Sequence, residues 1–259
     1  MLRPNFMKDK LDRGEAVIGS WAMIPSPVTA EILAVAGLDF VIIDAEHGPI
    51  GYETAQTMAM ACEARQVSPV MRVGDVNADA MQRALDLGVH AVQIPNVDTL
   101  ALARDVVRFA KYPPEGERGF SPFTRAGGYS RENACRLTAA ANANTLVGIN
   151  VEGKAVLDEI DAILDLPGLD LVFVGLYDLS KSLGVPGQVE HPEVRRLLAT
   201  LSEKINAAGK VAGTIASKKE DIGPCLDLGV RYLLYLVDCE VLRQGYADAC
   251  NIFKEACRG

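Results

Sequence analysis

Short apolar runs rich in β-branched residues recur along this chain, and each gives way to a longer stretch with apolar positions at helical spacing. Eight of the runs predict strands: Val17–Met23, Phe40–Asp44, Pro69–Val73, Ala91–Pro95, Leu146–Val151, Leu171–Gly175, Lys210–Ile215 and Tyr232–Val237. The stretches between them predict helices over Pro27–Ala36, Tyr52–Ala64, Ala78–Leu87, Asp98–Ala110, Lys154–Leu164, Pro192–Ala208 and Lys218–Leu228. A last helix is expected over Cys239–Cys257. Ser26, Asn77 and either His191 or Glu190 stand where N-caps belong, and Gly37, Gly88, Gly209 and Gly229 stand at helix stops.

Strand–helix alternation repeated eight times specifies a parallel sheet covered by helices. Eight units within 259 residues favour a closed (β/α)8 barrel, which takes about 250 residues, over an open sheet. Leu85-Asp86-Leu87-Gly88-Val89 and Leu226-Asp227-Leu228-Gly229-Val230 repeat at equivalent helix-to-strand junctions. No linker or shift of composition divides the chain, so residues 1–259 read as one α/β domain. Lys111 to Arg131 is the longest irregular stretch, and loops of that length are commonly functional or mobile.

Composition narrows the partners. Apolar residues make up 49% and charged residues 23%, which suffices for a buried core. A net charge of −8 with no basic run argues against nucleic acid as the main partner. The six cysteines form no Cys-x-x-Cys pair and have no nearby histidine, so reduced thiols are expected rather than zinc knuckles. Met1-Leu2-Arg3-Pro4-Asn5-Phe6 lacks an apolar signal core, and the longest apolar run is six to eight residues, too short for a membrane span. A cytoplasmic location is expected.

The candidate chemistry lies at the C-terminal ends of the strands, the end that carries function in parallel α/β folds. The second strand runs straight into Asp44, Glu46 and His47, the third carries Arg72, and the fourth ends in Pro95-Asn96. The fifth offers Asn150 and Glu152, two apart and so on one face of a regular strand; the sixth offers Gly175-Leu176-Tyr177-Asp178, and the eighth Asp238. Glu152 and Asp178 would repel each other on convergence, so they either share a proton or hold a hard divalent cation; end-of-strand capping is the plain alternative. His47 is the one histidine of three on the presumed active rim, where a carboxylate neighbour would make it a base near neutral pH. His90 and His191 read as structural. Arg72 seeks an anion: Glu46, Asp44 or a developing oxyanion.

Together these residues resemble the metal-dependent, pyruvate-type class II aldolases of the HpcH/HpaI group. Asp44-Ala45-Glu46-His47-Gly48-Pro49 looks like that family's D-x-E-H-x-P segment. Arg72, Ile94-Pro95-Asn96-Val97, Tyr112 to Gly119, Val151-Glu152 and Gly175 with Asp178-Leu179-Ser180 follow in matching order. The resemblance implies a phosphoenolpyruvate/pyruvate-domain-like TIM barrel, its C-terminal helix exchanged between subunits of a homohexamer built as a trimer of dimers. It implies Mg2+, Mn2+ or Co2+ held by Glu152 and Asp178, a 2-oxo acid bound near Asn150, Gly175, Leu176, Tyr177, Pro95 and Asn96, and an aldehyde as the second small-molecule partner. Arg72 would steady the enolate oxygen, and His47, supported by Asp44, would handle the aldol hydroxyl proton. Reversible cleavage of a 4-hydroxy-2-oxo acid follows; decarboxylation, an acyl-CoA lyase reaction or non-catalytic 2-oxo acid binding are the rival outcomes.

Two positions depart from the pattern. Asn150 stands where the family usually has Gln, and Leu176-Tyr177 where it has Pro-x before the aspartate. Both point to a reshaped pocket. The segment Phe120 to Tyr129 is a candidate for the aldehyde side, within the chain or across a subunit boundary.

Overall fold

Strand residues here are apolar at nearly every position, and the structure covers both faces of what they form. In a computed structural model describing residues 4–132 and 134–258, eight parallel strands pair in chain order and close, β8 on β1. They are β1 (Val17–Ala22), β2 (Phe40–Asp44), β3 (Ser68–Arg72), β4 (Ala91–Ile94), β5 (Leu146–Val151), β6 (Leu171–Val174), β7 (Val211–Ala216) and β8 (Tyr232–Val237). The covering helices include α1 (Phe6–Asp12), α2 (Pro27–Val35), α3 (Tyr52–Ala64), α4 (Ala78–Asp86), α5 (Leu100–Ala110) and α6 (Ala134–Asn144). After them come α7 (Ile160–Leu164), α8 (Leu176–Ser182), α9 (Pro192–Ala207), α10 (Ile222–Asp227) and α11 (Asp238–Ala256). The (β/α)8 barrel expected from the alternation is therefore the fold observed. No helix among the described residues is long and apolar enough to cross a membrane.

The capping reading holds at several helix starts. The Ser26 side chain accepts from the Val28 N–H, Asn77 from Ala80 at 3.0 Å, and the His191 ring from Glu193 at 3.3 Å. His90 is structural at the N-terminal end of the barrel, buried between Ser68 Oγ at 2.9 Å and Glu63 at 3.3 Å.

Three helices were not expected. The short α1 buries only Met7 and Leu11, too few positions to register as a period. It lies at the N-terminal ends of the strands, where Asn5 Nδ2 donates to the carbonyls of His90 and Asn144. The helix α6 follows the long irregular stretch, and α8 begins at Leu176, directly after the strand. Two expected helices are instead broken: Lys154–Asp158 and Lys219–Asp221 are 3₁₀ turns leading into α7 and α10.

The loop between α5 and α6 lies away from the chain's own barrel mouth. Arg118 pairs with Asp86 at 2.8 Å, the Ala126 N–H donates to the Asp86 carbonyl, and Arg125 donates to the Leu87 carbonyl at 2.7 Å. These partners stand at the C-terminal end of α4, hence at the N-terminal ends of the strands. Of its own chain's two rims, Phe120 to Tyr129 occupies the one opposite the presumed chemistry.

Register sets up the mouth. Asp44 on β2 lies beside Arg72 on β3, Arg72 beside Gln93 on β4, and Asn150 on β5 beside Phe173 on β6. At the seam, Asp238 is the one buried residue of α11. Its carboxylate accepts from the Met23 and Ile24 N–H groups at 3.1 and 3.0 Å and from Cys239 at 2.7 Å, tying the start of the last helix to the turn after β1.

Candidate active site

A cavity of about 400 Å3 opens at the C-terminal ends of the strands. Asp44, His47, Arg72, Asn150, Glu152, Gly175, Leu176, Tyr177 and Asp178 all line it, together with Trp21, Met23, Phe173, Ile215 and Val237. Thus nine of the eleven residues to which the family resemblance gives a role converge on one space. Pro95 and Asn96 are not among its lining residues. Asn96 instead adopts a left-handed backbone, φ 55°, and its N–H donates to Glu152 Oε2 at 3.3 Å.

Arg72 and Asp44 form the most constrained pair of the site. Nε donates to Oδ1 at 2.8 Å and Nη2 to Oδ2 at 2.6 Å, and both side chains are buried. Nη1 lies 3.0 Å from Glu46 Oε2, and the guanidinium rests 3.8 Å from the centre of the Trp21 ring. Of the partners left open for Arg72, the two carboxylates, Asp44 and Glu46, are both realised as ion pairs. A guanidinium has five N–H groups; three are committed to these carboxylates, and two remain for a ligand.

His47 differs from expectation in its neighbour. Asp44 Oδ1 accepts from the backbone N–H groups of Glu46 and His47, at 3.1 and 3.3 Å, while its carboxylate is occupied by Arg72. The imidazole is well exposed, with Nε2 3.8 Å from Glu46 Oε2. Asp44 thus shapes the turn that carries His47, and Glu46 is the carboxylate beside the ring. Gly48 closes this turn; a Cβ there would stand 2.5 Å from the Asp44 carbonyl oxygen.

Glu152 is buried, and Asp178 is half-exposed on the first turn of α8 with Lys181 Nζ 3.9 Å away. Burial pushes the Glu152 carboxyl above its ordinary range; the Asn150 hydrogen bond opposes that shift, and the charges of Asp178 and Glu46 reinforce it. Burial likewise raises Glu46, against the nearby charge of Arg72. Gly175 makes room for Glu152, since a Cβ there would lie 2.8 Å from its Cγ. Among the described residues, no set of three His, Cys, Asp or Glu side chains stands ready to hold an ion. The donor set nevertheless fits a hard divalent cation, because its charge would offset the crowding of buried and half-exposed carboxylates. Glu152 and Asp178 are the residues that could hold it, leaving other positions for a chelating ligand.

Trp21, which lines the cavity, was not anticipated from the sequence, and neither were Gln93 and Tyr232, which are buried in the barrel interior and do not line it. Trp21 is the sole tryptophan of the chain. Gln93 is a lone polar residue inside the fully buried β4, a signal that could have been used, because buried amides need partners. Nothing local marks Tyr232.

Residues 18–242 match the family described as HpcH/HpaI aldolase/citrate lyase. The chain belongs to that family. It is 36% identical to the 2-keto-3-deoxy-L-rhamnonate aldolase of Escherichia coli (strain K12), over 100% of this chain and 96% of that protein. The crystal structure of an HpcH/HpaI aldolase from Desulfitobacterium hafniense DCB-2 superposes with a TM-score of 0.91 at 30% identity, covering 96% of this chain and 97% of that one. The structure of the citrate synthase SbnG gives 0.89 at 28% identity, over 98% and 100%. Membership of the HpcH/HpaI family makes this chain a lyase of the aldolase type, built on the family's TIM barrel.

Proposed function

We propose that the chain is a divalent-metal-dependent aldolase that reversibly cleaves a 4-hydroxy-2-oxo acid of the 2-oxo-3-deoxy sugar-acid type into pyruvate, or a related 2-oxo acid, and an aldehyde. The carrying observation is the single mouth cavity onto which Glu152, Asp178, Arg72 and His47 all open. The name of the Escherichia coli relative supports the substrate class.

In this reading Glu152 and Asp178 would hold Mg2+, Mn2+ or Co2+, which would supply a Lewis acid to the 2-oxo acid. His47 takes the proton of the C4 hydroxyl. The C3–C4 bond then breaks, its electron pair moves to the C2 oxygen as an enolate, and the aldehyde departs. The two uncommitted N–H groups of Arg72 face that developing charge, held in place by Asp44, Glu46 and the Trp21 ring. Protonation at C3 completes the 2-oxo acid. Leu176 and Tyr177 close the side of the pocket next to Asp178, and the apolar wall of Met23, Ile215 and Val237 bounds the rest. An assay of pyruvate release from 2-oxo-3-deoxy acids, with and without chelator, tests the reading. Release that persists undiminished in metal-free protein removes the metal, and binding of the oxo acid without turnover favours a non-catalytic barrel.

A homo-oligomer, hexameric as a trimer of dimers, belongs to the same proposal, with α11 exchanged between subunits. Leu242, Tyr246, Ile252 and Phe253 on α11 are exposed, as are Val28, Ile32 and Val35 on α2, and an apolar cavity of about 350 Å3 separates the two helices. The chain as one domain and a cytoplasmic location complete the reading; six free cysteines support the latter.

A further inference from the structure

A line of hydrogen bonds crosses the barrel interior and ends on Glu152. Tyr232 Oη donates to Gln93 Oε1 at 3.0 Å, Gln93 Nε2 donates to Asn150 Oδ1 at 2.6 Å, and Asn150 Nδ2 donates to Glu152 Oε1 at 2.8 Å. All four side chains are buried, and the chain joins residues on β8, β4 and β5 that are up to 139 positions apart. The direction of the line is set at its Glu152 end. An ionised carboxylate only accepts, so Asn150 must present its NH2 group to Glu152 and its oxygen to Gln93. Gln93 must then present its own NH2 group to Asn150 and its oxygen to Tyr232. Burial holds the Tyr232 phenol far above its ordinary range, so it remains a protonated donor. Its ring cannot swing away, because it stacks on Phe40 with centroids 4.2 Å apart.

We infer that Gln93 and Tyr232 are positioning residues for Glu152, acting through Asn150. A glutamine at 150 would carry one more methylene; the shorter Asn150 meets a polar partner reaching in from β4. Without Gln93, the Asn150 amide loses the donor that holds its oxygen from β4 and can rotate or shift away from the carboxylate. Glu152 then loses one of two hydrogen bonds that hold it, the other being the Asn96 N–H. Groups that orient a ligating carboxylate typically affect ion affinity by about 10–100-fold. The inference rests on Glu152 being an ion ligand, as proposed above, but the side-chain line itself does not need the ion.

The test has two arms. Calorimetric titration with Mn2+ should show about 10-fold weaker binding in Gln93→Leu, a smaller loss in Tyr232→Phe, and no further loss when the two are combined, because they act as one line. Crystal structures of metal-free parent and Gln93→Leu should show the Asn150 amide turned or the Glu152 carboxylate displaced in the variant. Unchanged Mn2+ affinity in Gln93→Leu overturns the inference, as does a Glu152 carboxylate still 2.8 Å from Asn150 Nδ2. If Gln93→Leu does not fold, Tyr232→Phe carries both arms alone. A parent that binds no Mn2+ removes the metal reading, and the crystallographic arm still decides whether Gln93 positions Glu152.

Discussion

Asp44 grips Arg72 through two parallel hydrogen bonds at 2.8 and 2.6 Å, across the register point where β2 and β3 pair. This geometry divides labour within the family's motif: the aspartate fixes the guanidinium, and the imidazole of His47 is left to Glu46. Asp44→Ala should therefore act first on Arg72. Removing one partner of a buried pair typically costs about 3–5 kcal/mol, so a large fall in thermal stability is expected along with lost activity. A variant as stable as the parent contradicts the structural role given to the pair.

Arg72→Lys keeps the charge and loses the fork that matches Asp44 while leaving N–H groups for the substrate. Turnover should fall by about 10²–10³, with Mn2+ affinity retained. Steady-state kinetics beside calorimetry separates the two quantities.

His47→Ala should lower turnover by about 10²–10⁴ and leave the ion in place, since the ring is exposed and holds nothing else together. Unaltered turnover would release His47 from the mechanism. Glu152→Ala should abolish Mn2+ binding, whereas Asp178→Ala should weaken it less, because Asp178 is half-exposed and Glu152 is buried.

The raised Glu152 carboxyl gives a pH signature with a definite sign. The folded, metal-free protein holds this proton at pH values where the unfolded chain has released it, so the group's contribution to stability is present below about pH 4.3 and fades as pH rises through the raised value. Melting profiles of metal-free parent and Glu152→Gln should diverge in that window, the variant lacking the decline. With ion present the proton competes, and Mn2+ affinity should drop as pH falls through the same window.

Tyr177 tests the altered motif. Its hydroxyl lies 3.4 Å from Ser217 Oγ at the rim, where a hydroxylated aldehyde would pass. Tyr177→Phe should raise KM for a hydroxylated substrate by about 2–12-fold, the worth of one neutral hydrogen bond, and leave a simple aldehyde unaffected. Equal effects on both would assign the ring to packing alone.

The barrel was legible because its strands are continuous apolar runs, and β2, β5 and β8 fall on the residues expected for them. The acids and His47 were legible because each stands at the end of such a run or shortly past it. What stayed hidden was side-chain pairing between strands. Asp44 could reach either Arg72 or His47 from its place in the chain, and only register decides. Gln93 and Tyr232 belong to different strands, and nothing local joins them. The helix α8 was missed because Gly175-Leu176 continues the apolar character of β6 past its last residue, Val174.

The clasp made by Asp238 has a consequence for shortened versions of this protein. A chain ending at Val237 would retain every stave and all the acids of the mouth. It would also release Met23, whose backbone the carboxylate holds and whose side chain forms part of the chamber wall. Trimming the tail therefore deforms the place where substrate rests while the scaffold around it still stands.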